Sequence, residues 1–286
     1  MFQEQRLQLE DRTLSLGVGP VTGPPLVLLH GVLRRWRDFA AVLPMLHTGW
    51  HVHGLDFRGH AGSSWTPGQY RVIDYVNDGL AVLDRCLDQP AVLFGHSLGA
   101  MVATAAAAMR PDRVRALVLE DPPFATMGKN LYDDVLASLF RGFQSSLEPG
   151  VSTPELARRI AKIQLVSARS TEVIRLGDIR DAASLRHSAA CLNKIDPEVL
   201  QPIVAGKWLD DYDLAAFLPA IRCPVLLLRG DPRAGGMLTK EDAAHFEQTV
   251  SDCCSIYFPR VGHLIHATAT ESLATVLLPF LESVRD

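Results

Sequence analysis

Several things are scarce in this 286-residue chain, and each scarcity closes a class of function. Cysteine is rare: Cys86, Cys191, Cys223, Cys253 and Cys254 are odd in number, scattered and without C-x-x-C spacing. That pattern suggests neither a disulfide framework nor a zinc site, and reduced thiols are expected. Long apolar runs are missing. The longest, opened by Ala100, is stopped by Arg110-Pro111, short of the ~18 residues of a membrane span. Met1 to Arg6 carries no apolar core of signal-peptide length, so a cytoplasmic protein is expected. Excess positive charge is absent too: the formal net charge is −4, which argues against a nucleic-acid footprint. Repeats, phosphate-cradling glycine loops in a strand–helix context and grouped metal ligands are not found, so no cofactor and no metal are expected. What remains is ordinary for a packed protein, with 48% hydrophobic and 21% charged residues.

The most informative stretch is Val92-Leu93-Phe94-Gly95-His96-Ser97-Leu98-Gly99-Ala100. The apolar run Ala91 to Phe94 reads as a buried strand, and Ala100 to Met109 as a strong helix former. Between them sits G-x-S-x-G, in the strand–turn–helix context that makes this motif chemically meaningful. Ser97 is then placed at a strained turn above the sheet edge, and Gly95 and Gly99 let strand and helix cross closely. The amide of Leu98 opens the helix and faces any negative charge that develops there.

Other apolar runs, Pro25–Leu29, His51–Leu55, Val114–Leu119, Pro224–Leu228 and Cys254–Phe258, read as strands, preceded by a hairpin over Gln5–Leu9 and Thr13–Leu16. Helices are expected over Trp36–Met45, Ile73–Leu87 and Glu271–Val284. From Phe124 to Leu218 the buried-strand runs stop. Amphipathic pieces replace them: Leu131–Phe143, Pro154–Val166, Ala182–Leu192 and Pro197–Ala205. Thr153-Pro154-Glu155 and Asp196-Pro197-Glu198 are helix-start signatures. The expected organisation is α/β, with a mostly parallel sheet flanked by helices. Residues 1–123 and 219–286 form the core, and 124–218 form a helical insertion.

In such sheets ligands bind at the carboxyl ends of the strands. His30-Gly31, Asp56, Ser97, Glu120-Asp121, Asp231 and His263 all lie there. A serine hydroxyl needs a general base, and the base needs an acid to fix its tautomer. His263 follows the last strand and suits the base, with His266 as its competitor. Asp121 and Asp231 both suit the acid, while strand alternation aims Glu120 away from Asp121.

Taken together, Gly95-His96-Ser97-Leu98-Gly99, His30-Gly31, Asp56-Phe57-Arg58-Gly59-His60 and Gly262-His263 resemble the lid-bearing branch of the alpha/beta hydrolase superfamily over nearly the whole chain. The resemblance implies an eight-stranded, mostly parallel sheet, Ser97 as nucleophile, His263 as base, the Val32 and Leu98 amides as oxyanion hole, and Phe124 to Leu218 as lid. It also implies a serine hydrolase acting on a small to medium, partly apolar ester or lactone, without cofactor, as monomer or homodimer. Cleavage of an amide or carbon–carbon bond by the same triad, and a non-hydrolytic receptor, are the alternatives. Phe124, Met127, Leu131 and Trp208, with Leu136, Phe140 and Phe143, are candidates for the pocket. The chain departs from the family pattern in two places. Ala61 replaces a glycine of the D-x-R-G-x-G motif, for which a local loop change is expected. Arg233 stands where the acid usually lies, three residues after Gly230. Certain haloalkane dehalogenases and zearalenone lactonases instead place the acid after the preceding core strand, which here is Asp121. Asp121 is therefore favoured over Asp231.

Overall fold

The computed structural model describes residues 2–127, 135–166 and 173–285. An eight-stranded sheet runs through it in the order β1-β2-β4-β3-β5-β6-β9-β10. Its strands are β1 (Gln3–Gln8), β2 (Thr13–Val18), β3 (Pro25–Leu29), β4 (His51–Asp56), β5 (Ala91–His96), β6 (Val114–Glu120), β9 (Val225–Arg229) and β10 (Cys253–Tyr257). β1 and β2 pair antiparallel with each other, and β2 runs antiparallel to β4; every other pairing in the sheet is parallel.

Side-chain alternation explains the continuous apolar runs. Val27 and Leu29 point into one core with Leu93 and Leu117, whereas Leu26 and Leu28 point into the other with Val92, Phe94 and Val118. Both faces are covered by helices, so neither set could be polar. The helix Leu98–Met109 lies against the sheet with Ala100, Ala103 and Ala107 fully buried. Small side chains there let the helix axis approach the strands.

Some elements differ from expectation. Trp36–Met45 is not one helix but a 3-10 turn, Trp36–Ala41, followed by a short helix, Leu43–Leu46. Pro44 in the first turn of the second piece forbids a continuous ladder through it. The helix Lys240–Thr249, absent from the sequence reading, links β9 to β10 and buries only Ala243 and Phe246. Between β6 and β9 the described chain is mainly helical, including Val135–Ser146, Thr153–Ala161 and Ala182–Leu192. It also holds a small antiparallel ribbon, β7 (Gln164–Leu165) with β8 (Ile174–Arg175), which the sequence reading did not contain. The cap of Thr153–Ala161 is Ser152, one residue earlier than expected, while Asp196 caps its turn through the Glu198 amide as expected. Asp196 also accepts the Tyr70 hydroxyl at 2.6 Å, tying this segment to the core. Ala61, at the departed glycine position, has φ 45, the left-handed backbone that glycine adopts without strain.

Candidate active site

Ser97 sits between β5 and the helix Leu98–Met109 with φ 54 and ψ −115. A non-glycine residue in this region is strained and is held only by its surroundings. The surroundings are tight. A Cβ on Gly99 would lie 1.9 Å from the Leu29 carbonyl oxygen, and one on Gly95 would lie 2.3 Å from the backbone of Gly99. The two glycines are therefore the condition for the turn. Leu98 is the first residue of the helix, so its N–H has no acceptor within the helix. Val32 lines the same cavity as Ser97. The loop carrying Val32 is fixed from below, since the Leu33 amide donates to His60 Nε2 at 3.1 Å and the Phe57 amide donates to His30 Nε2 at 3.1 Å. Burial pushes His30 down to about 3 and His60 down to about 4, so both rings are neutral and can accept.

His263 Nδ1 donates to Asp121 Oδ2 at 2.7 Å. Asp121 follows β6 at φ 48, a sharp turn that aspartate tolerates, and it is fully buried. Its carboxylate also accepts from the amides of Gly230 (2.9 Å), Met237 (2.7 Å) and Leu238 (3.1 Å). Burial works to raise this carboxyl, but the His263 hydrogen bond and charge, with the Met237 and Gly230 amides, hold it below the ordinary carboxylate range. It is an anion aimed at an imidazole. Asp231, the other candidate acid, is engaged elsewhere: it accepts from the amides of Arg233 and Arg260, both at 2.9 Å, and shapes the turn after β9.

The neighbouring residues form a second pair. Glu120 accepts the His266 amide at 3.0 Å and His266 Nδ1 at 2.9 Å. Strand alternation thus sends Glu120 to His266 and leaves Asp121 for His263. His266 is buried and stacks on Phe39 at 4.7 Å. His96 lies between the two histidine rings, 4.6 Å from His263 and 5.1 Å from His266. Burial and then the repulsion of those two rings hold His96 well below the ordinary histidine range, so it is neutral. Its Nε2 faces the His263 carbonyl at 3.0 Å. A carbonyl only accepts, so Nε2 carries the ring proton. The His263 loop is pinned through His96, Asp121 and Glu120; sequence reasoning had Asp121 as the favoured partner of His263 and the direction of Glu120, but missed the His96 contact and the Glu120–His266 pair.

Ser97 and His263 open onto one cavity of about 500 Å³. Among the described residues no hydrogen bond joins the Ser97 hydroxyl to His263. Such contacts often tighten only when substrate is bound. Of the pocket candidates, Met127 and Trp208 line the cavity, as do Leu136, Phe140 and Phe143. Phe124 does not: its ring is stacked on Phe246 at 6.1 Å, in the packing between β6 and the Lys240–Thr249 helix. Leu131 lies outside the described residues. Trp208 Nε1 is buried on this wall without a hydrogen-bond partner among the described residues. The cavity also has a polar side that the sequence did not reveal, formed by Arg34, Asp38, Arg180 and His187.

A family model described as alpha/beta hydrolase fold matches residues 24–251. The chain belongs to that family. Hydrolases recur among its relatives. It is 39% identical over 125 residues to lipase LipV of Mycobacterium tuberculosis, covering 42% of this chain and 46% of that one, so the match spans under half of that lipase. It is 26% identical over 268 residues to the pimeloyl-[acyl-carrier protein] methyl ester esterase of Photobacterium profundum, covering 91% of this chain and 95% of that one. Among solved structures, E-2-(acetamidomethylene)succinate hydrolase superposes with a TM-score of 0.73 at 20% identity, covering 99% of this chain and 100% of that one, which shows a shared fold. No helix among the described residues is long and apolar enough to cross a membrane.

Proposed function

We propose that this alpha/beta hydrolase is a serine hydrolase of carboxylic esters or lactones, working through an acyl-enzyme on Ser97. The observation that carries this reading is the convergence at one cavity of Ser97 on a strained elbow and His263 bonded to the Asp121 carboxylate. His263 Nε2 takes the Ser97 proton as the hydroxyl oxygen attacks the substrate carbonyl. The buried Asp121 charge stabilises the imidazolium that forms. The Val32 and Leu98 amides receive the developing oxyanion; a single donor of this kind contributes about 2.7–4 kcal/mol in comparable sites. The imidazolium then protonates the leaving alkoxide, and water activated by the same ring releases the acid.

The apolar wall of Leu136, Phe140, Phe143 and Trp208 supports a partly apolar acyl or alcohol group. In this reading the helical segment over 124–218 is a lid. Similarity to proteins named as a lipase and as a methyl ester esterase supports an ester substrate.

The test is turnover of p-nitrophenyl butyrate by the wild type and by Ser97→Ala, with fluorophosphonate labelling read by mass spectrometry. Expected is hydrolysis lost by ~10⁴-fold or more in the variant and a label on Ser97 alone. Equal, slow release by both proteins would leave a non-hydrolytic ligand receptor as the better account.

A further inference from the structure

Away from Ser97, one cluster on the cavity wall has the chemistry of a metal site. Asp38 lies on the 3-10 turn Trp36–Ala41 of the core. His187 and Cys191 lie one turn apart on the helix Ala182–Leu192, in the segment between β6 and β9. Their donor atoms face one another: His187 Nε2 is 3.0 Å from Asp38 Oδ1, Cys191 Sγ is 3.7 Å from His187 Nε2, and Cys191 Sγ is 3.9 Å from Asp38 Oδ1. These three donors come within one ion's reach of each other.

Their types and spacing can be compared with zinc. Tetrahedral Zn²⁺ with sulfur at 2.3 Å and nitrogen or oxygen near 2.1 Å separates its ligand atoms by about 3.4 to 3.6 Å. Each observed edge lies within about half an ångström of that, so small side-chain rotations suffice. The carboxylate is held in place for this: the Asp38 side chain is only 7% exposed, its Oδ1 faces both His187 and Cys191, and its Oδ2 lies 3.5 Å from the Arg34 guanidinium.

We infer that Asp38, His187 and Cys191 form a site for Zn²⁺ or a similar divalent transition ion that clamps the β6–β9 segment onto the core at the cavity wall. The fourth tetrahedral position is free for water or a cavity solute.

The charges around the site do not oppose this. Arg34 and Arg35 approach Asp38 at 3.5 and 3.7 Å, and His30 is nearby in the core. In the metal-free form the carboxylate is balanced by the His187 imidazolium, because the hydrogen bonds to Asp38 and Cys191 raise His187 to about 9. On binding, His187 releases its Nε2 proton and Cys191 its thiol proton. A dication then faces one carboxylate and one thiolate. The cluster is neutral before and after, so the arginines meet no new charge. Two released protons also mean that affinity rises with pH.

Neither the inference nor its test depends on the serine chemistry. The full-length chain, reduced and freed of metal by chelator, is titrated with Co²⁺ and followed by absorbance. Expected are a thiolate-to-cobalt charge-transfer band in the near ultraviolet and visible bands of a tetrahedral ion, both erased by Zn²⁺. Cys191→Ser removes the charge-transfer band. His187→Ala, a change at a half-exposed position, weakens Co²⁺ by at least ~10-fold, the size that even outer-shell changes produce. Absence of the near-ultraviolet band from the wild type at millimolar Co²⁺ overturns the site. So does a band of equal affinity in His187→Ala, which assigns the metal to other thiols. Because His187→Ala alone decides, a Cys191 variant that fails to fold does not protect the proposal.

Discussion

On the floor of the cavity, where the sheet ends, polar side chains are fixed by networks: Asp121 accepts three amides besides the His263 imidazole, and Glu120 holds His266 by ring and backbone together. On the opposite wall, Leu136, Leu139, Phe140 and Phe143 are held by apolar packing, and a charged link from that wall to the floor runs from His187 to Asp38. The two constructions suit different tasks. Hydrogen bonds at strand ends fix atoms to the few tenths of an ångström that proton transfer requires. Packing fixes volume and tolerates substitution of similar size. Floor variants should therefore act on the chemical step, and wall variants on which substrate is accepted.

The largest contrast is expected between the two aspartates. Asp121→Asn removes the charge that stabilises the His263 cation and presents an NH₂ group to donors that now face a carboxylate. Loss of kcat by ~10⁴-fold is expected from the wrong histidine tautomer. An accompanying destabilisation of about 1–3 kcal/mol should show in urea melts, because amides lose their acceptor. Asp231→Asn keeps an acceptor oxygen for Arg233 or Arg260 and should cost under ~10-fold. Similar losses from both, measured on p-nitrophenyl esters, would show that the Asp121 network is not special and would erase the distinction between it and an ordinary turn.

A smaller effect is expected on the wall. Phe140 is 6% exposed and borders the cavity. Phe140→Ala enlarges the site, so kcat/KM should shift by ~10-fold in favour of longer acyl chains over short ones, with kcat on short esters nearly unchanged. A chain-length series measures it. A uniform fall in kcat across the series would place Phe140 in the chemistry instead and break the comparison from the other side.

What was legible in the sequence follows the same division. β5, the glycines around Ser97 and the order Ser97…His263 were readable because strand, elbow and helix are contiguous, and continuous apolar runs such as Pro25–Leu29 mark strands covered on both faces. For the acid the sequence only favoured Asp121 over Asp231, by resemblance, because what separates the two is the φ of 48 at Asp121 and its reach to His263, Met237 and Leu238, all set by tertiary contacts. The helix Lys240–Thr249 was passed over because only two of its residues are buried and its apolar period is faint, although Thr239 with Glu241 and Asp242 is a start signal. The pocket was the least legible part. Phe124 and Trp208 look alike as aromatic candidates, yet one packs on Phe246 and the other reaches the cavity. Asp38 and His187 meet across 149 positions, and of that cluster only the one-turn spacing of His187 and Cys191 was visible in the sequence.

The smallest expected effect tests the ion pair between wall and floor. The Asp38 and Cys191 hydrogen bonds raise His187 to about 9 when folded, against ~6.5 in the unfolded chain. The folded protein therefore binds this proton more tightly. The stabilisation is complete below about pH 6.5 and is lost as pH rises through about 9. Because the His187 side chain is 43% exposed, solvent screens the pair, and the contribution is held to ~0.2–1 kcal/mol. In chelator, the melting temperature should fall by ~0.3–2 °C more between pH 6.5 and 9.5 in the wild type than in His187→Ala. Parallel pH profiles would mean that the His187–Asp38 pair does not hold the wall to the floor, and that its seating against the Ser97 side of the cavity is insensitive to this charge.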